Sequence, residues 1–259
     1  MTTHTDGPEV CPHVAELEEC VVLQSRGQTD LLLWSTWSKR RGGAVLELGT
    51  GTGRVLSFLL RQGLDAYGIE VDPQVRDIGL ARLAHQGIER PESRLLLGDI
   101  RHFDIGRRFS LVIVPFNTFG LLADDDLRST LACVAQHLEL GGTLAIEAQT
   151  WPGERCPFPW MSKRSRVGLE TRHGTFVYSE VARQPLPNAP LTVERSYEAP
   201  DGTLYEYSFE LKVRLLPEWD ELAGSMGFVR VSPAVDQSGN PWTAKSKMVF
   251  FEIALNRLT

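Results

Sequence analysis

The stretch Ala44-Val45-Leu46-Glu47-Leu48-Gly49-Thr50-Gly51-Thr52-Gly53 leaves this chain few ways to fold. Val45, Leu46 and Leu48 form a short apolar run, the pattern of a strand buried on both faces. Three glycines at alternate positions follow at once. After Gly53, Val55, Leu56, Leu59 and Leu60 recur at helical spacing until Gly63, a stop signal. The stretch therefore reads as strand, glycine turn and helix. Glycine bends tightly and lets a ligand approach the backbone with no Cβ in the way. The helix start adds free N–H groups and the positive end of a dipole.

The glycine spacing separates ligand classes. A dinucleotide turn reads G-x-G-x-x-G. Here Gly49, Gly51 and Gly53 give G-x-G-x-G, and Arg54 stands where the third glycine belongs. Glu47, two residues before the first glycine, repels a pyrophosphate but suits an ammonium group. At these residues the chain resembles the class I S-adenosylmethionine-dependent methyltransferases, whose first motif reads E-x-G-x-G-x-G. The resemblance implies an α/β fold: a doubly wound, Rossmann-like seven-stranded sheet with its last strand antiparallel. It also implies S-adenosylmethionine as cofactor, held by Glu47, Gly49, Thr50, Gly51 and Gly53. A nicotinamide-dependent oxidoreductase and a catalytically silent cofactor-binding protein are the competing classes.

Later strand ends extend the resemblance. Ala66 to Glu70 reads as the second strand, with Asp72 and Pro73 starting the next helix as N-cap and first residue. Glu70 lies where an acid receives ribose hydroxyls, and Val71 would lie against the adenine. Leu95-Leu96-Leu97 closes on Gly98-Asp99-Ile100, similar to the family's G-D-hydrophobic motif. The resemblance gives Asp99 the adenine amino group and Ile100 a backbone contact to the ring. Phe109 to Val114 forms the fourth strand, and Pro115, Phe116, Asn117 and Phe119 follow it into the expected crevice. Pro115 and Phe116 are assigned to the cofactor, Asn117 and Phe119 to the acceptor. Val114-Pro115-Phe116-Asn117 departs from the N-P-P-aromatic motif of nucleic-acid N-methyltransferases. Asp124 to Asp126 are read as capping a helix that Gly141-Gly142 ends, and Thr143 to Ala148 as the fifth strand. Glu147 and Gln149 alternate along its end, so both are expected to face the crevice.

Residues 14 to 39 read as two helices broken at Gly27. Arg26-Gly27-Gln28 resembles the R-G-K segment of amino-sugar N-methyltransferases, which implies that Arg26 pairs with the cofactor carboxylate. After Trp151 the composition changes. Prolines exclude a helix, and Phe176–Val181, Leu191–Tyr197 and Leu204–Val213 alternate as strands, with a hairpin signal at Asp201-Gly202. The expected domains are a helical cover (1–43), a cofactor-binding core (44–150), a small antiparallel β-sheet lid inserted at 151–216, and the remainder of the core (217–259). Gln149, Trp151 and Tyr205 are candidates to touch the acceptor, and His173 and Glu147 to act as a base.

The 259-residue chain carries a formal charge of -6 and no basic block, which argues against a nucleic-acid partner. No apolar stretch reaches membrane-spanning length, and Met1 to Pro8 lacks a signal-peptide core, so a cytoplasmic protein is expected. Its partner is a small-molecule substrate; a homodimer stays open. The four cysteines show no C-x-x-C pair. His4, Cys11, His13 and Cys20 match no zinc spacing, so no metal is expected. The combined expectation is N-methylation of an amine on a sugar or other natural-product intermediate, with O-methylation of a small metabolite as the alternative.

Overall fold

The computed structural model describes residues 13–151, 159–186, 189–243, 246 and 248–256. In chain order the elements begin with α1 (Val14–Arg26), α2 (Thr29–Arg41), β1 (Val45–Leu48), α3 (Arg54–Arg61), β2 (Ala66–Glu70), α4 (Pro73–His85) and β3 (Leu95–Leu97). Then come β4 (Phe109–Val114), α5 (Asp124–His137), β5 (Leu138–Gln149), β6 (Trp160–Thr171) and β7 (Gly174–Gln184). The chain closes with β8 (Leu191–Glu198), β9 (Leu204–Leu211), α6 (Leu216–Ser225), β10 (Phe228–Arg230) and β11 (Met248–Leu255). Two compact units result: residues 28–155 with 213–259, and residues 1–27 with 156–212. The two N-terminal helices thus fall in different units.

The larger unit holds a seven-stranded sheet in the order β10-β11-β5-β4-β1-β2-β3. β11 runs antiparallel to both neighbours, β5 and β10, and the other pairs are parallel. The last strand is antiparallel, as expected. β1 and β4 are buried at every position, because helices cover both faces of the sheet. Val45, Leu111 and Ala145 pack with Leu31, Trp34 and Trp37 of α2 and Leu56 and Leu59 of α3. On the opposite face, Leu46, Val112 and Ile146 pack with α5 and α6 through Leu131 and Trp219. Asp72 caps α4 by accepting from the N–H groups of Gln74 and Val75, with Pro73 behind it.

Two local expectations fail. Gly141 and Gly142 do not end α5, which stops at His137, but lie inside β5. Leu138 already pairs with Phe109, and the register then jumps so that Leu111 meets Thr143. The glycines take up that jump: Gly141 has φ +79°, and a Cβ on Gly142 would lie 2.9 Å from the Phe109 carbonyl oxygen. Asp124 does not cap α5, whose N-cap is Ala123. Its carboxylate instead accepts from the buried Arg214 at 2.8 Å. The acidic run still fills the first turn, where the dipole favours it.

The smaller unit is a four-stranded antiparallel meander, β6-β7-β8-β9, with α1 against it. The β8–β9 turn falls at Asp201-Gly202, and Gly202 has φ +87°. β6 is absent from the sequence reading. Its Ser162 to Arg166 run is polar and mostly exposed, and Leu169 is its buried anchor. Leu17 and Val21 of α1 pack on Leu169, Phe176, Tyr178 and Tyr197. A buried polar network stands beside them. Arg195 binds Glu18 and Glu180, Tyr178 donates to Glu180, and Tyr197 donates to Glu18. Burial raises the pKa of both tyrosines and keeps their hydroxyls as donors.

Candidate functional site

Strand order reverses between β1 and β4, so the loops after these strands diverge and leave a crevice at their carboxyl ends. The glycine turn forms one wall. Gly49, Gly51 and Gly53 have φ of +70°, +59° and +75°, and each serves a different need. A Cβ on Gly49 would lie 2.5 Å from Thr118 Cγ2, so this glycine admits the loop after β4. Gly53 sits 3.5 Å, by the same measure, from the Cα of Gly79 on α4. A Cβ on Gly51 would meet nothing within 4 Å, which leaves open space over the turn. Thr50 points inward: its side chain is buried against Gly68, and its hydroxyl donates to the Glu47 carbonyl. Only its backbone is left to meet a ligand.

Alternation along β1 puts Glu47 on the α2–α3 face with Val45. It is 2% exposed, and its Oε2 has no hydrogen-bond partner among the described residues. The Leu56 N–H is its backbone donor. Burial pushes its carboxyl up to about 8; Arg54 opposes that rise, while Glu70 and Asp30 add to it. Arg54 is itself engaged, with Nη1 and Nη2 donating to the two oxygens of fully buried Asp30 at 3.1 and 2.5 Å. Because Glu47 binds its proton more tightly folded than unfolded, its contribution to stability is lost as pH rises from about 4.5 toward 8. Glu47→Gln should therefore gain on the wild type by as much as about 1.4 kcal/mol per pH unit across that window. Urea denaturation at pH 5, 6, 7 and 8 measures this, and parallel pH profiles would refute it.

At the end of β2, Glu70 is nearly buried and already serves the backbone. Its Oε2 accepts from Gly51 N–H at 2.8 Å, and its Oε1 from the N–H groups of Val71 and Asp72 at 3.0 Å. A carboxylate offers about four acceptor sites, so roughly one remains where two ribose hydroxyls were expected. Val71 is 62% exposed, and Leu97, paired with Glu70 across the β2–β3 ladder, is 55% exposed. These apolar strand tips offer a surface for a flat ring. Asp99 holds the Arg101 guanidinium at 2.6 Å and also accepts from the Arg101 N–H. The Arg101 contacts hold its carboxyl below the usual range. Ile100 is half-buried against the core.

The loop after β4 is braced from β5. Pro115 is buried, and Phe116 and Asn117 both adopt positive φ, +60° and +56°. Non-glycine residues hold such angles only where the surroundings fix them. Here the fully buried Glu147 accepts from Phe116 N–H at 2.7 Å, and Asn117 Oδ1 accepts from Gln149 N–H at 2.9 Å. Glu147 thus faces the loop as a brace rather than standing open as a base. Phe116 remains 39% exposed. Phe119 is a correction: it is fully buried and stacks on Trp219, so it belongs to the core. Trp151 is buried as well.

Three further candidates lie in the smaller unit. The Arg26 side chain falls outside the described residues, as do His4 and Cys11. Tyr205 packs against the Tyr178–Tyr197 cluster. His173 sits in the β6–β7 turn, stacked on His13 at 3.7 Å and 3.2 Å from Glu16. His13, Glu16 and His173 bring potential metal ligands within 4.8 Å of one another, but Arg172 already binds both Glu16 and His173. His173 is therefore held by partners within its own unit.

Sequence reasoning missed Asp30, Leu97 and Arg101. Leu97 carried a signal, an apolar residue at a strand tip beside a glycine. Asp30 carried none, since its partner lies 24 residues away. The site fits a cationic nucleoside: it has an unpartnered buried carboxyl oxygen for an ammonium, an open glycine for close approach, and two exposed apolar tips for a base.

Residues 45–142 match the family model for a methyltransferase domain. A dTDP-3-amino-3,4,6-trideoxy-alpha-D-glucopyranose N,N-dimethyltransferase of Streptomyces venezuelae is 31% identical over 148 residues, covering 53% of this chain and 59% of that protein. A dTDP-4-amino-2,3,4,6-tetradeoxy-D-glucose N,N-dimethyltransferase of Saccharopolyspora spinosa is 26% identical, covering 65% of this chain and 64% of that protein. The chain thus spans roughly three fifths of the length of these curated relatives. Among solved structures, an amino pentose methyltransferase of Micromonospora echinaspora with S-adenosylmethionine bound superposes with a TM-score of 0.68 at 18% identity, over 96% of this chain and 99% of that one. The match extends over both sheets and shows that the chain shares that protein's fold. Residues 45–142 therefore match a methyltransferase domain, in a chain that shares the fold of the solved methyltransferases and resembles in sequence the amino-sugar N,N-dimethyltransferases.

Proposed function

We propose that this chain methylates an amine on a sugar or other natural-product intermediate. The observation that carries this reading is Glu47: a buried acid with an unpartnered oxygen, two residues before a glycine turn with open space above Gly51. That turn accepts an ammonium and rejects a pyrophosphate. The acceptor class follows from the relatives, which act on amino sugars.

S-adenosylmethionine supplies a methyl group on a sulfonium, which leaves as a neutral thioether. Direct displacement asks the protein for position: attacking atom and methyl carbon about 3–3.5 Å apart and in line. Glu47, Gly49, Gly51, Gly53, Glu70, Asp99 and the Ile100 backbone would hold the cofactor, with Val71 against its ring. Phe116 and Asn117, held by Glu147 and Gln149, shape the reacting end. A neutral amine needs no general base before attack and loses its proton afterwards. In this reading the acceptor is a small molecule and the protein works in the cytoplasm. No helix among the described residues is long and apolar enough to cross a membrane.

The test is mass spectrometry of dTDP-amino sugars incubated with S-adenosylmethionine and the protein. Mono- and dimethylated amines with matching S-adenosylhomocysteine are expected. Methylation confined to hydroxyl acceptors would replace the amine with the O-methyl alternative, and binding of NAD without S-adenosylhomocysteine would overturn the assignment.

A further inference from the structure

Glu47 is a buried acid surrounded by charge of its own sign. Asp30 faces it from α2 and Glu70 from β2, and Glu147 on β5 draws on the same arginine. Arg54 of α3 is the opposing cation, and both of its terminal nitrogens already bind Asp30. Leu56 N–H donates to the carboxyl, and Oε2 has no hydrogen-bond partner among the described residues. An ionised carboxylate without solvent or sufficient donors is costly, and protonation removes the cost. A docked ammonium reverses the balance, because it supplies the missing donors and a full positive charge.

We propose that Glu47 holds a proton in the cofactor-free protein and releases it when the ammonium group of S-adenosylmethionine or S-adenosylhomocysteine docks, so that cofactor uptake expels one proton to solvent. This rests on the cofactor assignment made above. The carboxyl O–H bond breaks, its electron pair stays on Oε as carboxylate, and the proton passes to buffer; nothing is oxidised or reduced. The upward shift of Glu47 agrees with a proton held at neutral pH. Affinity then depends on pH, because tight binding needs Glu47 ionised and the ligand amine charged. Below about pH 7.5 an α-amino group is charged, so each unit of rising pH should tighten binding by up to about tenfold.

Calorimetric titration of the full chain with S-adenosylhomocysteine at pH 7, in phosphate and in Tris, counts the proton. The two heats should differ by about the difference between the ionisation enthalpies of Tris and phosphate per ligand bound, and dissociation constants from pH 6 to 7.5 should fall steadily. Glu47→Gln should bind more weakly and give equal heats in both buffers. Equal heats with the wild type overturn the proposal and leave the cofactor assignment standing, as does a buffer difference that survives in Glu47→Gln. Failure to bind S-adenosylhomocysteine at all overturns both. If Glu47→Gln does not fold, the wild-type pH series decides alone, and a flat series counts against the proposal.

Discussion

Arg54→Met should cost the protein at least about 3–5 kcal/mol at pH 7, the range seen when one partner of a buried ion pair is removed. The loss should reach the upper end, because Arg54 is the cation acting on more than one buried acid. Asp30 is fully buried and bonded to it twice, and Glu47 and Glu147 both act on it. Methionine fills similar volume, so the effect reads charge more than packing. Urea denaturation at pH 7 and pH 5 is the measurement. Without the guanidinium, Asp30 stays buried without the cation it is bonded to, and burial disfavours its charged form. The variant's stability then falls as pH rises, and its deficit should be larger at pH 7 than at pH 5. Combining Arg54→Met with Asp30→Leu should recover much of the loss, since removing both charges leaves none stranded. A deficit below about 1 kcal/mol at pH 7 would show the pair to be solvated like a surface bridge.

This cluster also marks where reading from sequence stops. The ends of β2, β3 and β4 match the sequence expectation residue by residue, because local signals set them: apolar runs, the Asp72-Pro73 cap and the turn at Gly98. The glycine turn and the acids at Glu47, Glu70 and Asp99 were legible for the same reason, being chemistry carried within a few consecutive residues. What failed depends on contacts distant in sequence. Arg54 reads as a departure from a glycine pattern, yet its structural work is to hold Asp30 on another helix. Phe119 reads as a pocket wall, but Trp219 of α6 buries it. β6 went unseen because much of its length is polar and exposed, and its pairing with β7 fixes it. Gly141 and Gly142 look like a helix stop until the β4–β5 register shows the jump they absorb.

The three glycines of the turn look alike in sequence, and the structure predicts that two of them fail differently. Gly49→Ala places a Cβ 2.5 Å from Thr118 Cγ2 at a φ of +70°. Overpacking costs about 1–3 kcal/mol, and the left-handed backbone adds about 1–2 kcal/mol. The strain falls on the loop that carries Phe116 and Asn117, so Gly49→Ala should lower both stability and cofactor affinity. Gly51→Ala carries the backbone cost alone, since its Cβ would meet nothing within 4 Å among the described residues. In the proposed reading that volume receives the cofactor, so Gly51→Ala should weaken S-adenosylhomocysteine binding by tenfold or more, about 1.4 kcal/mol or above, with the smaller loss of stability. Thermal denaturation paired with calorimetric titration on both variants separates the effects. If Gly51→Ala binds S-adenosylhomocysteine as the wild type does, the open face of the turn is not the cofactor's seat, and the ligand must be placed elsewhere on the strand tips.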